Sequence, residues 1–175
     1  MADPSSPTGV DVPVVVVADE QTDEIVDADR WAALARSVLR AEGRVGELTL
    51  TFVDRDEISA LNEEHLGKTG PTDVLSFPLD AGVDLPDIPV VAGPVLLGDV
   101  VICPSVAAEA APSHAGTVAD ELALLTVHGV LHVLGHDHAD ETERAIMRAA
   151  EIAYLEAHHW HGPAPSGFRQ EHADA

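Results

Sequence analysis

Lysine is almost absent from this chain, and that absence sets a first limit on its partners. Lysine and arginine together number 9 against 31 aspartates and glutamates, a formal net charge of −22. Such a surface repels a polyanion on average, so any nucleic-acid role requires a local positive field. Cysteine occurs once, which excludes an internal disulfide; next to Pro104 at a strand end, Cys103 reads as a buried small hydrophobe. No apolar run approaches the ~20 residues needed to span a bilayer. The opening stretch MADPSSPTGVDVP also lacks the basic start and apolar core of a signal peptide. The expectation is a cytoplasmic protein with no membrane partner. Neither a Walker nor a Rossmann glycine loop occurs, and no internal repeat, so nucleotide use is not indicated.

What is present suffices for one core: 46% of the 175 residues are hydrophobic. A single domain is expected over 12–158, between disordered tails at 1–11 and 159–175, where Pro, Gly, Ser and His lack periodicity. Strands are predicted over Val12–Val17, Glu47–Val53, Asp73–Phe77 and Val95–Cys103 from β-branched runs or alternation. Prolines at 71 and 78 place the third of these at a sheet edge or a cleft. Helices are predicted over Ala28–Glu42, from Asp54 to about His65, over a short stretch from Pro104, from Thr117 to Leu134 and over Glu141–His158. For the last, Ala145, Ile146, Ala149, Ile152, Ala153 and Leu155 are expected on the inner face. About 15 Gly-, Pro- and Asp-rich residues, Asp80–Pro94, read as a flexible loop.

The most informative stretch is His128-Gly-Val-Leu-His-Val-Leu-Gly-His-Asp-His138. Histidines four apart on a helix lie about 40° apart around its axis, one turn above the other, so both imidazoles can reach one ion. Gly135 can adopt the left-handed conformation that ends the helix and turns His138 back toward the same ion. Apolar residues on nearly every other face mark the helix as buried, and burial keeps imidazoles in the neutral form that ligates metal. His128, His132, Gly135 and His138 occupy the places of the metzincin pattern H-E-x-x-H-x-x-G-x-x-H. The glutamate that serves those proteases as general base would fall at 129, where this chain has glycine, so peptide hydrolysis by that route lacks its base.

HGVLHVLGHDH resembles the H-G-x-L-H-x-x-G-[YH]-D-H signature of the YbeY family, the bacterial rRNA maturation endoribonucleases. Leu61-Asn62, the run Pro71 to Pro78, Leu97 to Ile102 and Asp120-Glu121-Leu122 agree in the same order, so the likeness spans roughly residues 14 to 157. It implies an α+β fold, a small mixed four-stranded sheet packed with about five helices around a central metal-bearing helix, metalloprotease-like. It also implies a zinc-dependent endoribonuclease, with one Zn²⁺ per chain on His128, His132 and His138, a site of hydrolytic type. Its substrate would be single-stranded rRNA on the small ribosomal subunit, at the 3′ end of 16S rRNA, with ribosome quality control and ribosome-assembly proteins as further associations.

Candidate substrate contacts are Lys68, Thr72, Asp73 and Ser76, the last three polar within an otherwise apolar strand lining the implied groove. Arg36, Arg40 and Arg44 add a stripe recurring every four residues, which also reads as cation placement at a helix C-terminus. Two positions depart from the family pattern. Leu66 stands where an arginine thought to contact RNA is common, and His136 where tyrosine is usual, which makes His136 an alternative ligand ranked below His138. Asp137 reads as a structural or supporting carboxylate rather than a base. The competing readings are a metalloprotease-like hydrolase and a ribosome-associated protein with a structural zinc.

Overall fold

Helix starts follow side-chain chemistry closely in the computed structural model, which describes residues 12–79 and 95–170. Asp27, Asp54, Thr117 and Asp140 each accept a hydrogen bond from a backbone N–H three residues on. That satisfies one of the amides that a first helical turn leaves without a partner. The order is β1 (Val14–Asp19), α1 (Ala28–Ala41), β2 (Glu47–Phe52), α2 (Arg55–Leu66), β3 (Val74–Pro78), β4 (Leu96–Ile102), α3 (Pro104–Ala110), α4 (Val118–Val133) and α5 (Glu141–His158). The expected tail at 1–11 and the expected loop over 80–94 lie outside the described residues.

The four strands form one sheet ordered β1-β2-β4-β3, parallel throughout except for β3, which runs antiparallel to β4 at the edge. This is the α+β arrangement expected: a mixed four-stranded sheet with five helices. Alternation in β2 sends Leu48, Leu50 and Phe52 to one side, where Val100 and Ile102 of β4 join them under α1, α4 and α5. The opposite side carries a smaller cluster of Val53, Ile58, Leu75, Val101 and Cys103, covered by α2 and α3. Buried Cys103 is thus the small hydrophobe its neighbours suggested.

Helix α4 is the axis of the larger core. Leu124, Leu125, Val127, Val130 and Leu131 are all inaccessible to solvent, and truncating one such leucine to alanine costs about 2–5 kcal/mol. Its approach to the sheet depends on glycine at two places. A β-carbon at Gly129 would sit 2.5 Å from Val100 Cγ1, and one at Gly98 3.0 Å from Val133 Cγ1 of α4 and 2.5 Å from the Phe77 carbonyl oxygen of β3. Gly98 also follows a register shift in which Leu97 is the extra residue of β4, so a bulge and a close approach occur together.

Two expectations need correction. The inner face of α5 carries Met147, Glu151 and Leu155, while Ile146 is 58% exposed. Assigning only apolar residues to that face turned the helix by one residue, about 100°, because Glu151 is buried through its pairing with a histidine of α4. Nor does the chain trail away from residue 159. It folds back as far as Gln170, with Trp160 and Phe168 packed on the main core, ring centroids 4.8 Å apart. Trp160 Nε1–H donates to Asp120 Oδ1 at 2.8 Å, and the Arg169 N–H to the His114 carbonyl at 3.0 Å. The aromatic pair supplies the apolar burial that composition alone concealed. Among the described residues, no helix is long and apolar enough to cross a membrane.

Candidate metal centre

The last turn of α4 and the turn after it converge on one point. Leu134 caps the helix, and Gly135 follows with φ 98. The Gly135 N–H donates to the His132 carbonyl and the His136 N–H to the Leu131 carbonyl, the paired bonds of a Schellman stop. A side chain is disfavoured at that φ, which is why the turn needs its glycine. The reversal carries Asp137 and His138 back over α4.

The three histidines read from the sequence are brought together. Ring centroids are 4.5 Å apart for His128 and His132, 4.8 Å for His132 and His138, and 6.0 Å for His128 and His138. Donor atoms of His132, His138 and Asp137 all lie within 4.8 Å of one another, a cluster that can hold a metal ion. Asp137 therefore sits closer to the centre than the supporting role read for it suggests; its Oδ1 accepts the His138 N–H at 2.7 Å. His136 turns the other way, its Nε2 3.4 Å from Glu42 Oε1 at the end of α1, so it does not join the cluster.

Burial, with the neighbouring His128 and His138, pushes the His132 imidazole down to about 4 against a partial offset from Asp137. It is therefore neutral at pH 7 and offers a lone pair. His128 Nδ1 lies 2.6 Å from Glu151 Oε1. That carboxylate escaped the sequence reading, although an acidic residue in helical register with Met147 and Leu155 was the available signal. The donor set, imidazoles with one carboxylate, suits a divalent transition metal, zinc included.

The remaining candidates divide. Ser76 on β3 donates its hydroxyl to the Gly129 carbonyl at 3.2 Å, pinning the edge strand to the metal-bearing helix. Thr72 and Asp73 are half-buried, and Asp73 Oδ1 accepts the Val74 N–H at 2.8 Å, a strand-entry cap. Lys68 is exposed in the loop between α2 and β3, whose course is held by the Asn62 side-chain amide donating to the Gly70 carbonyl. Leu66 is 53% exposed at the end of α2.

The arginine stripe lies along α1 and just beyond it. Glu42 reaches His136 and Tyr154 from the core side of α1, and Arg40, two residues earlier, lies about 200° around the helix on its exposed side. Arg36 is half-buried beside that outer face, and Arg44 is exposed beyond the helix end.

Comparison with known proteins follows the same segment. The family described as Endoribonuclease YbeY has a model matching residues 16–159. A protein named endoribonuclease YbeY from Salinispora tropica is 48% identical over 136 residues, covering 74% of this chain and 87% of the relative. One of the same name from Paramagnetospirillum magneticum is 40% identical over 149 residues, covering 85% and 89%. The solution structure of TM1509 from Thermotoga maritima superposes with a TM-score of 0.56 at 24% identity, over 82% of this chain and 87% of that one, and shares its fold.

Proposed function

Because the chain belongs to the YbeY endoribonuclease family, we propose that it is a zinc-dependent endoribonuclease acting on single-stranded RNA. Its place in the cell is late rRNA processing at the 3′ end of 16S rRNA and ribosome quality control, in the cytoplasm, with the small ribosomal subunit and its assembly proteins as partners. The observation that carries this reading is the convergence of His128, His132 and His138 at one end of a buried helix, within the matched segment.

When bound there, a zinc ion supplies Lewis acidity, lowering the pKa of water toward about 7 and polarising a phosphoryl oxygen. His128, His132 and His138 would hold the ion there. The protein's own residues orient the donors: the Gly135 turn presents His138, Glu151 holds His128, and burial keeps His132 neutral. The Ser76 bond to Gly129 fixes the edge strand beside the centre, so an extended RNA strand has a rigid wall to lie against. Lys68, Thr72, Asp73, Arg36, Arg40 and Arg44 are the groups this reading assigns to the substrate, the cations serving phosphates along the bound strand. Leu66 cannot neutralise a phosphate, so Lys68 carries more of that load here.

Position 129 argues against a protease, since the Val100 side chain occupies the space that a base at this position would need. The test is incubation of the purified chain with an rRNA precursor and with casein, with and without chelator. Cleavage of RNA alone, lost on chelation, is expected. Casein cleavage would support the metalloprotease-like alternative. Zinc binding without either activity would favour a ribosome-associated protein with a structural zinc.

A further inference from the structure

Glu151 is 3% exposed, and an ionised carboxylate that deep is costly unless both of its oxygens are engaged. Oε1 faces His128 Nδ1 at 2.6 Å. Oε2 accepts from Gln170 Nε2 at 2.9 Å, and the same amide nitrogen donates to the Arg148 carbonyl at 2.9 Å. Gln170 thus ties the buried carboxylate to the backbone of its own helix one turn earlier. A carboxylate held in this way accepts the Nδ1 proton of an imidazole and leaves Nε2 as the ligating nitrogen.

Gln170 lies beyond residue 159, where the family match ends. The chain reaches it through a succession of anchors. Trp160 Nε1–H donates to Asp120, the Ala164 N–H to Glu156 Oε1 at 3.1 Å, and the Arg169 N–H to the His114 carbonyl, while Phe168 packs edge-on against Trp160. The three hydrogen-bond partners sit on α4, on α5 and on the turn before α4, so residues 160–170 form a strap clamped across the helices that carry His128 and Glu151.

We propose that Gln170, presented by the strap 160–170, is a positioning residue for the metal centre: it fixes Glu151 and, through it, the tautomer and ring angle of His128. The inference rests on the metal reading above. It adds that metal affinity in this chain depends on a C-terminal segment outside the family-matched residues.

The experiment compares the full chain with Gln170→Leu, which keeps bulk and removes the donor, and with Glu151→Gln. Arg169→Ala, an exposed change in the same strap, is the control. Two quantities are read: zinc affinity by chelator competition, and the proton and nitrogen resonances of the His128 Nδ1–H group. Loss of an outer carboxylate typically weakens metal binding about 10–100-fold, so that loss is expected for Glu151→Gln, and a smaller one of roughly three- to tenfold for Gln170→Leu. The parent is expected to show a far-downfield Nδ1 proton on His128 that moves upfield in Gln170→Leu and stays in place in Arg169→Ala. Zinc binding by the parent, with neither quantity changed in Gln170→Leu, overturns the strap's role and leaves the metal reading intact. Equal losses in Gln170→Leu and Arg169→Ala reduce the strap to general support and overturn the specific role of Gln170. A parent chain that binds no zinc overturns the metal reading itself, whichever way the proton moves.

Discussion

Gly129 and Val100 meet across the helix and sheet interface with no space between them, the position of a β-carbon on Gly129 being 2.5 Å from Val100 Cγ1. The residue that distinguishes this centre from a metzincin is therefore also a packing requirement. Gly129→Glu is expected to lower stability by at least the roughly 1–3 kcal/mol typical of overpacking, with the burial of a carboxylate in addition. Urea denaturation measures the loss. Peptide hydrolysis should remain at the parent level, and a gain above it would place the fold nearer the proteases than the geometry suggests.

Metal content distinguishes the histidines. One zinc per chain is expected in the parent, and His128→Ala, His132→Ala and His138→Ala should each lose it. His136→Ala should retain it, because His136 faces Glu42. Elemental analysis of the purified variants decides; full occupancy in His138→Ala with loss in His136→Ala would reverse the assignment.

Acid should release the C-terminal strap through Asp120. Burial alone would raise its carboxyl, but hydrogen bonds from His159, Trp160 and Thr117 prevail and hold it below the ordinary value of 3.8. A carboxyl with a lowered folded value binds fewer protons folded than unfolded, so its stabilisation is present above the unfolded pKa and is lost as pH falls through the folded one. Asp120→Asn should be less stable than the parent at pH 7 and should lose less of its stability below about pH 4. Trp160 fluorescence during urea unfolding at several pH values reports both; parallel curves for the two proteins would remove Asp120 as the group responsible.

Salt dependence tests the cations. With two or three phosphates neutralised, log K for single-stranded RNA should fall with log salt at a slope of about −1.5 to −2, each contact contributing roughly −0.7. Lys68→Glu should weaken binding and flatten the slope by about one contact. Arg40→Glu, on the outer side of α1, should change both less, and neither substitution should alter zinc content. If Arg40→Glu has the larger effect, the RNA path runs over α1 rather than along β3.

Local chemistry was sufficient for much of this protein. Four capping side chains, Gly67 and Gly135 at helix ends, and alternation in β2 marked the elements, because each acts on residues within a few positions of itself. The i, i+4 spacing of His128 and His132 and the glycine stop before His138 pointed to the metal centre for the same reason. Tertiary structure decided what depends on distant partners. Glu151 is inside because His128, 23 residues earlier, accepts it there, and that pairing sets the rotation of α5. Gln170 is ordered because Trp160 and Phe168 find a core that their own segment does not contain. The arginine stripe recurs at a helical period, but periodicity specifies a face and not the neighbour that the face meets; the packing of α1 leaves Arg40 exposed and Arg36 half-buried.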